Sequence, residues 1–126
     1  DKGGWELCKP KAWHDVTVQK EGVMEYNFTL ENFEKEVLQS DIPVLVDFYA
    51  DWCGPCRMLA PTIDALAESS TADIYKCNVD EESALAIKFR ISLIPTLLFV
   101  KGGVEVHRTT GVLSKEEIEA LIARFS

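Results

Sequence analysis

The chain has 126 residues, which is enough to bury the core of one domain without help from disulfides or metal ions. Its 13 basic and 21 acidic residues leave a net charge of −8, and such a chain repels nucleic-acid phosphates and anionic membrane surfaces. No apolar run approaches the roughly 20 residues that a membrane-spanning helix needs. The composition therefore excludes the nucleic-acid-binding and membrane-spanning classes.

Residues 1–23 differ from the rest of the sequence. They are rich in glycine, proline and charged residues that interrupt regular structure, and only Val16-Thr17-Val18 suggests a short strand. From Met24 onward the hydrophobic pattern becomes regular. We therefore expect a flexible or appended N-terminal extension at 1–23 and one domain at 24–126.

The domain alternates strands with helices and then ends in a hairpin and a helix. Apolar residues at alternate positions predict the strands, and apolar residues three and four apart predict the helices. In chain order, the predicted elements are a strand at 25–29, a helix at 30–39, a strand at 44–50, a helix at 53–68, a strand at 74–79, a helix at 82–89, strands at 96–100 and 104–109, and a last helix after the capping box of Ser114 and Glu117. This order predicts an α/β fold in which helices cover both faces of a mixed sheet.

One carboxylate interrupts the most apolar of the predicted strands. The segment 44–50 is almost continuously apolar, which is typical of a strand covered on both faces, and Asp47 lies in its middle. Burial without a partner raises the pKa of a carboxyl group. Lys76, inside the strand predicted at 74–79, is the obvious structural partner for it.

Cys53 and Cys56 lie where this buried strand ends and a helix begins. Free backbone N–H groups and the helix dipole stabilise a thiolate there, so we expect Cys53 to be an exposed, reactive thiol. Cys56 lies on the same helix face and can close a disulfide with it. The alternative is half of a zinc site, which needs two further ligands, usually as a second close pair. The remaining candidates are scattered singly along the chain, at Cys8, His14, Cys77 and His107.

A combination of motifs extends over most of the chain. It consists of the string Val46-Asp47-Phe48-Tyr49-Ala50-Asp51-Trp52-Cys53-Gly54-Pro55-Cys56-Arg57, then Pro61, then Ile94-Pro95-Thr96, and then Gly111. In these motifs the sequence resembles the thioredoxin family over residues 25–126. The resemblance implies the thioredoxin fold, a central mixed sheet of about five strands flanked by four helices. It also implies a protein dithiol–disulfide oxidoreductase that reduces the disulfides of client proteins.

The resemblance also implies roles for single residues. Asp47 matches a buried base that helps to deprotonate the second cysteine, Cys56, through water, and Lys76 is expected to tune this base. A cis peptide bond is implied within Ile94-Pro95. It brings this backbone against Cys53, where it can pair with an extended substrate segment.

A flat apolar surface for client proteins is implied as well. Its expected members are Trp52, Gly54, Pro55, Ile94 and Gly111. The chain departs from the commonest family pattern at Tyr49, where Trp or Phe is usual, at Arg57, where Lys is usual, and at Ser92-Leu93, where Arg-Gly or a similar pair is frequent. The last pair lies near the substrate groove, so it bears on the choice of client and not on the chemistry.

The resemblance further implies the partners of the chain. We expect no metal and no organic cofactor, because the cysteine pair carries the electrons. The implied partners are disulfide-containing client proteins and a thioredoxin reductase, with no nucleic-acid or membrane partner, and the chain is expected to be a cytoplasmic monomer. The positions of the four cysteines also fit a protein of a reducing compartment better than a secreted protein that disulfides hold together.

Two alternatives stay open at the level of the sequence. One is a disulfide oxidase or isomerase, which the Gly-Pro pair between the cysteines disfavours. The other is a docking subunit that uses the flat surface and in which the thiols are incidental. The two remaining cysteines do not decide between them, since Cys77 is expected to be a small buried hydrophobe and Cys8 belongs to the expected extension.

Overall fold

The computed structural model describes residues 13–22 and 26–125, without the side chain of Leu38. The strands are β1 (His14–Asp15), β2 (Val44–Tyr49), β3 (Asp73–Asn78), β4 (Thr96–Lys101) and β5 (Val104–Thr110). The helices are α1 (Leu30–Phe33, continued by the π-helical segment Glu34–Leu38), α2 (Gly54–Ser69), α3 (Ser83–Lys88) and α4 (Lys115–Arg124). The strands form one sheet in the order β1-β3-β2-β4-β5. This confirms the predicted α/β class, with a five-stranded mixed sheet and four helices.

The central strand of the sheet is β2. It pairs in parallel with β3 and antiparallel with β4, while β1 and β5 lie at the two edges. On one face Phe48 packs with Phe33 of α1 and Leu85 of α3. On the other face Leu45 packs in one cluster with Ile118 of α4 and with the buried residues of α2. Because both faces are covered, the strand reads as a continuous apolar run.

Most predicted elements lie where the sequence placed them, within one residue at each end. The exception is the edge strand. The sequence predicted a first strand at 25–29, but the described residues of this segment form none. The edge strand next to β3 is His14–Asp15, and Phe28 makes only an isolated bridge with Val18. The prediction of a strand at 25–29 was therefore wrong.

Asn27 gives the physical reason. Its side-chain oxygen accepts a hydrogen bond from the backbone N–H of Thr17 (2.8 Å), and its side-chain amide donates to the carbonyl of Asp15 (2.5 Å). These bonds hold the segment around Asn27 alongside the earlier segment and not alongside β3. The edge of β3 is occupied instead by β1, whose ladder continues in a bond from the N–H of Val16 to the carbonyl of Lys76 (2.9 Å).

Part of the expected extension belongs to the folded unit. Val16 and Val18 are each only 4% exposed and lie in the core cluster on the α1 side of the sheet. Residues 13–22 thus supply an edge strand and two core side chains. The expected boundary between residues 23 and 24 falls among residues outside the described part and stays a prediction. Within the described ranges, no helix combines the length and the apolar character needed to cross a bilayer.

The predicted capping box of Ser114 and Glu117 is present at the start of α4. The hydroxyl of Ser114 accepts from the N–H of Glu117 (3.1 Å), and the carboxylate of Glu117 accepts from the N–H of Ser114 (2.9 Å). We expect Ser114→Ala to lower the free energy of unfolding by about 1 kcal/mol in urea titrations, because it leaves a helix N–H without a partner. Ser83→Ala, at an exposed position that is not an N-cap, is the matched control. Equal losses in the two variants would contradict a specific role of the cap.

Candidate active site

The two cysteines of the motif form a disulfide at the start of α2. Cys53 is the N-cap residue of this helix, Cys56 lies in its first turn, and their Cα atoms are 5.2 Å apart. The backbone N–H of Cys56 donates to Cys53 Sγ at 3.2 Å. An N–H group and a helix dipole in this position stabilise a thiolate when the pair is reduced. The predicted position of the pair, at the junction of strand and helix, is confirmed.

The burial of the pair differs from the expectation. The sequence predicted an exposed Cys53, but Cys53 is 4% and Cys56 5% exposed in the disulfide form. Both pack in a small cluster with Ala50, and Ile94 lies beside it with its carbonyl oxygen 3.8 Å from Cys53 Sγ. The expectation of an exposed thiol was wrong for this form because the disulfide and the Ile94 loop cover the sulfur.

The Ile94 loop is the second element of the site. The Ile94–Pro95 peptide bond is cis, as the resemblance implied. The carbonyl of Pro95 accepts a hydrogen bond from the N–H of Gly111 (2.9 Å), which ties the loop before β4 to the end of β5. Gly111 has φ +89°, in the left-handed region that favours glycine. The Ile94 loop therefore lies against Cys53, and Gly111 is held next to that loop.

Trp52 marks the exposed side of the site. Its side chain is 68% exposed, and its indole N–H donates to a carboxylate oxygen of Asp80 at 2.7 Å. The loop after β3 is in turn held by Asn78, whose side-chain oxygen accepts from the N–H of Asp80 (2.9 Å). Asp80 was not predicted from the sequence, because an acidic run before a helix looks like ordinary helix capping. Leu93, next to Ile94, is 63% exposed and extends the apolar character of this side.

Asp47 lies behind the disulfide, on the sheet face that α2 covers. It is 2% exposed, and its Oδ1 atom has no hydrogen-bond partner among the described residues. Burial raises the pKa of Asp47 to about 7, the positive charge of Lys76 opposes this rise, and the negative charge of Asp64 adds to it. A cleft of about 400 Å³ contains both Asp47 and Cys56 on its wall. It is large enough for several water molecules.

Lys76 lies directly beside Asp47 in the sheet, as their Cα register shows. Its ammonium group also lies 4.5 Å from the ring centre of Trp13 and 5.0 Å from that of Tyr49. The expected partnership of Lys76 with Asp47 is therefore shared with two aromatic rings. No pattern in the sequence pointed to Trp13 at the site, because its contact depends on the register of β1 on β3.

Cys77 lies apart from the reactive pair. It is fully buried in the core cluster of the α1 side, and burial together with the charges of Glu82 and Asp47 raises its pKa to about 12. A thiol in such surroundings is inert, so the expectation of a small buried hydrophobe is confirmed. Cys8 lies outside the described residues. Between residues 13 and 125, in the part described, no three His, Cys, Asp or Glu side chains come together as a metal-ligand group.

Known proteins resemble this chain in sequence and in structure. The Thioredoxin family model matches residues 25–124. A thioredoxin from Chlorobaculum thiosulfatiphilum is 47% identical over 95 residues, which are 74% of this chain and 88% of that protein. A thioredoxin from Porphyra purpurea is 41% identical over 96 residues, 75% of this chain and 90% of that protein. A solved mutant thioredoxin from Halobacterium salinarum superposes with a TM-score of 0.72 at 33% identity, covering 89% of this chain and 90% of its own.

The buried carboxyl group makes stability depend on pH. The pKa of Asp47 rises from its ordinary value of 3.8 to about 7 on folding, so the unfolded chain loses this proton first as the pH rises. We expect the free energy of unfolding to fall by on the order of 4 kcal/mol between about pH 4 and about pH 7 through this one group, and to level off above. Urea titrations of the oxidised protein measure this fall.

Asp47→Asn removes the titrating group, so the fall should disappear in that variant. The exposed carboxylate of Asp41 offers a matched control, and Asp41→Asn should keep the wild-type fall. A wild-type fall in Asp47→Asn would show that the pH dependence arises elsewhere.

Proposed function

The chain belongs to the thioredoxin family, and we propose that it reduces client disulfides with Cys53 as the attacking thiol and Cys56 as the resolving thiol. As a member of this family it is a protein dithiol–disulfide oxidoreductase, and disulfide-containing proteins are its partners. The observation that carries the assignment of roles is the position of the pair. Cys53 caps the helix next to the Ile94 loop, whereas Cys56 shares a cleft with Asp47.

The first step forms a mixed disulfide. The Cys53 thiolate attacks one sulfur of the client disulfide, so that a bond forms between Cys53 and the client and the client's own bond breaks. The other client sulfur leaves as a thiolate and takes a proton from water. The N–H of Cys56, 3.2 Å from Cys53 Sγ, stabilises the attacking thiolate before this step.

The second step releases the client. Cys56 passes its proton to Asp47 through water in their common cleft, and its thiolate attacks Cys53 Sγ. The Cys53–Cys56 bond forms and the bond between Cys53 and the client breaks. The second client sulfur leaves as a thiolate with the electron pair of that bond and takes a proton from water, and Asp47 returns its proton to the solvent. The client has then gained two electrons and two protons, and the chain is left with the disulfide seen in the structure. With a pKa of about 7, Asp47 is matched to accepting a proton near neutral pH.

The client docks on the surface around the pair. We assign this surface to Trp52, Gly54, Pro55, Ile94 and Gly111. The apolar, exposed indole of Trp52 and the backbone of the Ile94 loop fit an extended polypeptide segment.

Lys76 acts on the site through its charge on Asp47. A thioredoxin reductase returns two electrons to the disulfide, and the chain works as a cytoplasmic monomer without metal, organic cofactor, nucleic acid or membrane partner.

A redox titration separates this proposal from its closest rival. We expect the potential of the Cys53–Cys56 pair to lie below that of the cytosolic glutathione pool, as a reductant requires. A potential well above that of the pool would identify an oxidase or isomerase.

The docking-subunit alternative predicts that Cys53→Ser combined with Cys56→Ser keeps the biological activity, whereas the proposal predicts complete loss of that activity.

The order of attack is tested by trapping. We expect Cys56→Ser to accumulate client proteins joined covalently to Cys53, because the mixed disulfide forms but no thiol resolves it. Non-reducing gels and mass spectrometry of the linked peptides measure this product. Cys53→Ser, which keeps the buried thiol Cys56, is the matched control and should trap nothing. Trapping by Cys53→Ser in place of Cys56→Ser would reverse the assigned roles.

A further inference from the structure

The N-terminal strand reaches the redox site through one lysine. Across three neighbouring strands, Asp15 of β1, Lys76 of β3 and Asp47 of β2 lie in one register row. Residues in such a row point to the same face of a sheet. Lys76 therefore stands between two carboxylates, one in the central strand and one in the segment that precedes the family match at residue 25.

Two aromatic rings surround the ammonium group of this lysine. Trp13 precedes β1 and its ring centre is 4.5 Å from Lys76 Nζ, while Tyr49 ends β2 and its ring centre is 5.0 Å away. A cation held over aromatic faces is attracted by the negative face of each ring, more strongly as water is excluded, and indole is the best of the rings. The ammonium group is thus drawn toward Trp13.

Lys76 also lines two clefts. One, of about 400 Å³, contains Asp47 and Cys56, and the other, of about 230 Å³, contains Asp15. Both are lined by Lys76 and Tyr49. The position of the Lys76 side chain therefore decides how much positive charge faces the carboxyl group of Asp47.

We propose that Trp13 is a positioning residue of the redox site, which holds the Lys76 ammonium away from Asp47 so that Asp47 can accept the proton of Cys56. This inference rests on the proposed role of Asp47 as the base. An ammonium in direct contact with a buried carboxylate favours the ionised form. A carboxylate that is held ionised in this way is a weaker proton acceptor for a thiol.

Apart from Asp15, which is two residues from Trp13, the other charges around the two groups lie on segments that do not contain Trp13. Asp51 follows β2 and lines both clefts, Arg57 of α2 lines the larger one, and Glu81 lines the smaller one. Asp64 of α2 acts on Asp47 from the helix that covers it. A change in the titration of Asp47 after substitution of Trp13 reports the movement of Lys76 when the change is absent in a variant without this lysine.

The test is the midpoint of the Asp47 titration, read from its carboxyl carbon by NMR in the oxidised full chain. Asp47→Asn identifies the signal. We expect Trp13→Leu to move the midpoint to lower pH by about one pH unit, because Lys76 is then free to approach the carboxylate. Trp13→Phe keeps a weaker ring and should give a smaller move in the same direction, so the series is informative even if Trp13→Leu does not fold.

A second background shows whether Trp13 acts through Lys76. In Lys76→Met, the midpoint should be the same with Trp13 as with Phe or Leu at this position. An unchanged midpoint in Trp13→Leu, a move to higher pH, or a move that persists in Lys76→Met would overturn the proposal. When Trp13→Leu does not fold, the same three results in Trp13→Phe overturn it.

The activity of Asp47→Asn distinguishes a failure of the proposed function from a failure of the proposal about Trp13. If Asp47→Asn reduces insulin as fast as the wild type does, Asp47 is not the base, whatever the midpoints show. If Asp47→Asn reduces insulin slowly but the midpoint of the Asp47 titration is the same with and without Trp13, only the positioning role of Trp13 is wrong.

Discussion

The site depends on one unfavourable placement, a carboxyl group inside the central strand of the sheet. Asp47 is almost fully buried, and its Oδ1 atom has no hydrogen-bond partner within the part of the chain that the structure describes. Burial of such a group opposes folding once the group is ionised. The same burial raises its pKa to about 7, the range in which a proton acceptor for a thiol works at neutral pH. The fold thus accepts a loss of stability at the carboxyl group that we propose as the base for Cys56.

The two sulfurs of the pair have different surroundings, and we propose that this difference divides their roles. Cys53 caps α2 and lies against the carbonyl of Ile94, at the side where Trp52 is exposed and a client can dock. Cys56 lies one turn further in and faces the cleft of Asp47. In the mechanism that we propose, the helix terminus stabilises the thiolate of Cys53, and Cys56 gives its proton to a base that it reaches through water.

Much of this arrangement could be predicted from the sequence, because it depends on local patterns. The continuous apolar run around Asp47 predicted a strand covered on both faces, and the position of Cys53 predicted a helix cap. The edge strand could not be predicted, since the segments around Val16 and Phe28 both show strand-like patterns. The backbone and side-chain bonds between the two segments, those of Asn27 among them, hold the segment around Phe28 away from β3. The contact of Trp13 with Lys76 depends on that register, so it was missed for the same reason.

The central claim is that Asp47 serves the resolving step and not the attack. Rapid-mixing kinetics with a client disulfide separate the two, since formation of the mixed disulfide and release of the client are observed as successive phases. We expect Asp47→Asn to slow release at neutral pH by about 10²-fold or more and to leave formation close to the wild-type rate. Equal slowing of both phases, or an unchanged rate of release, would contradict this claim.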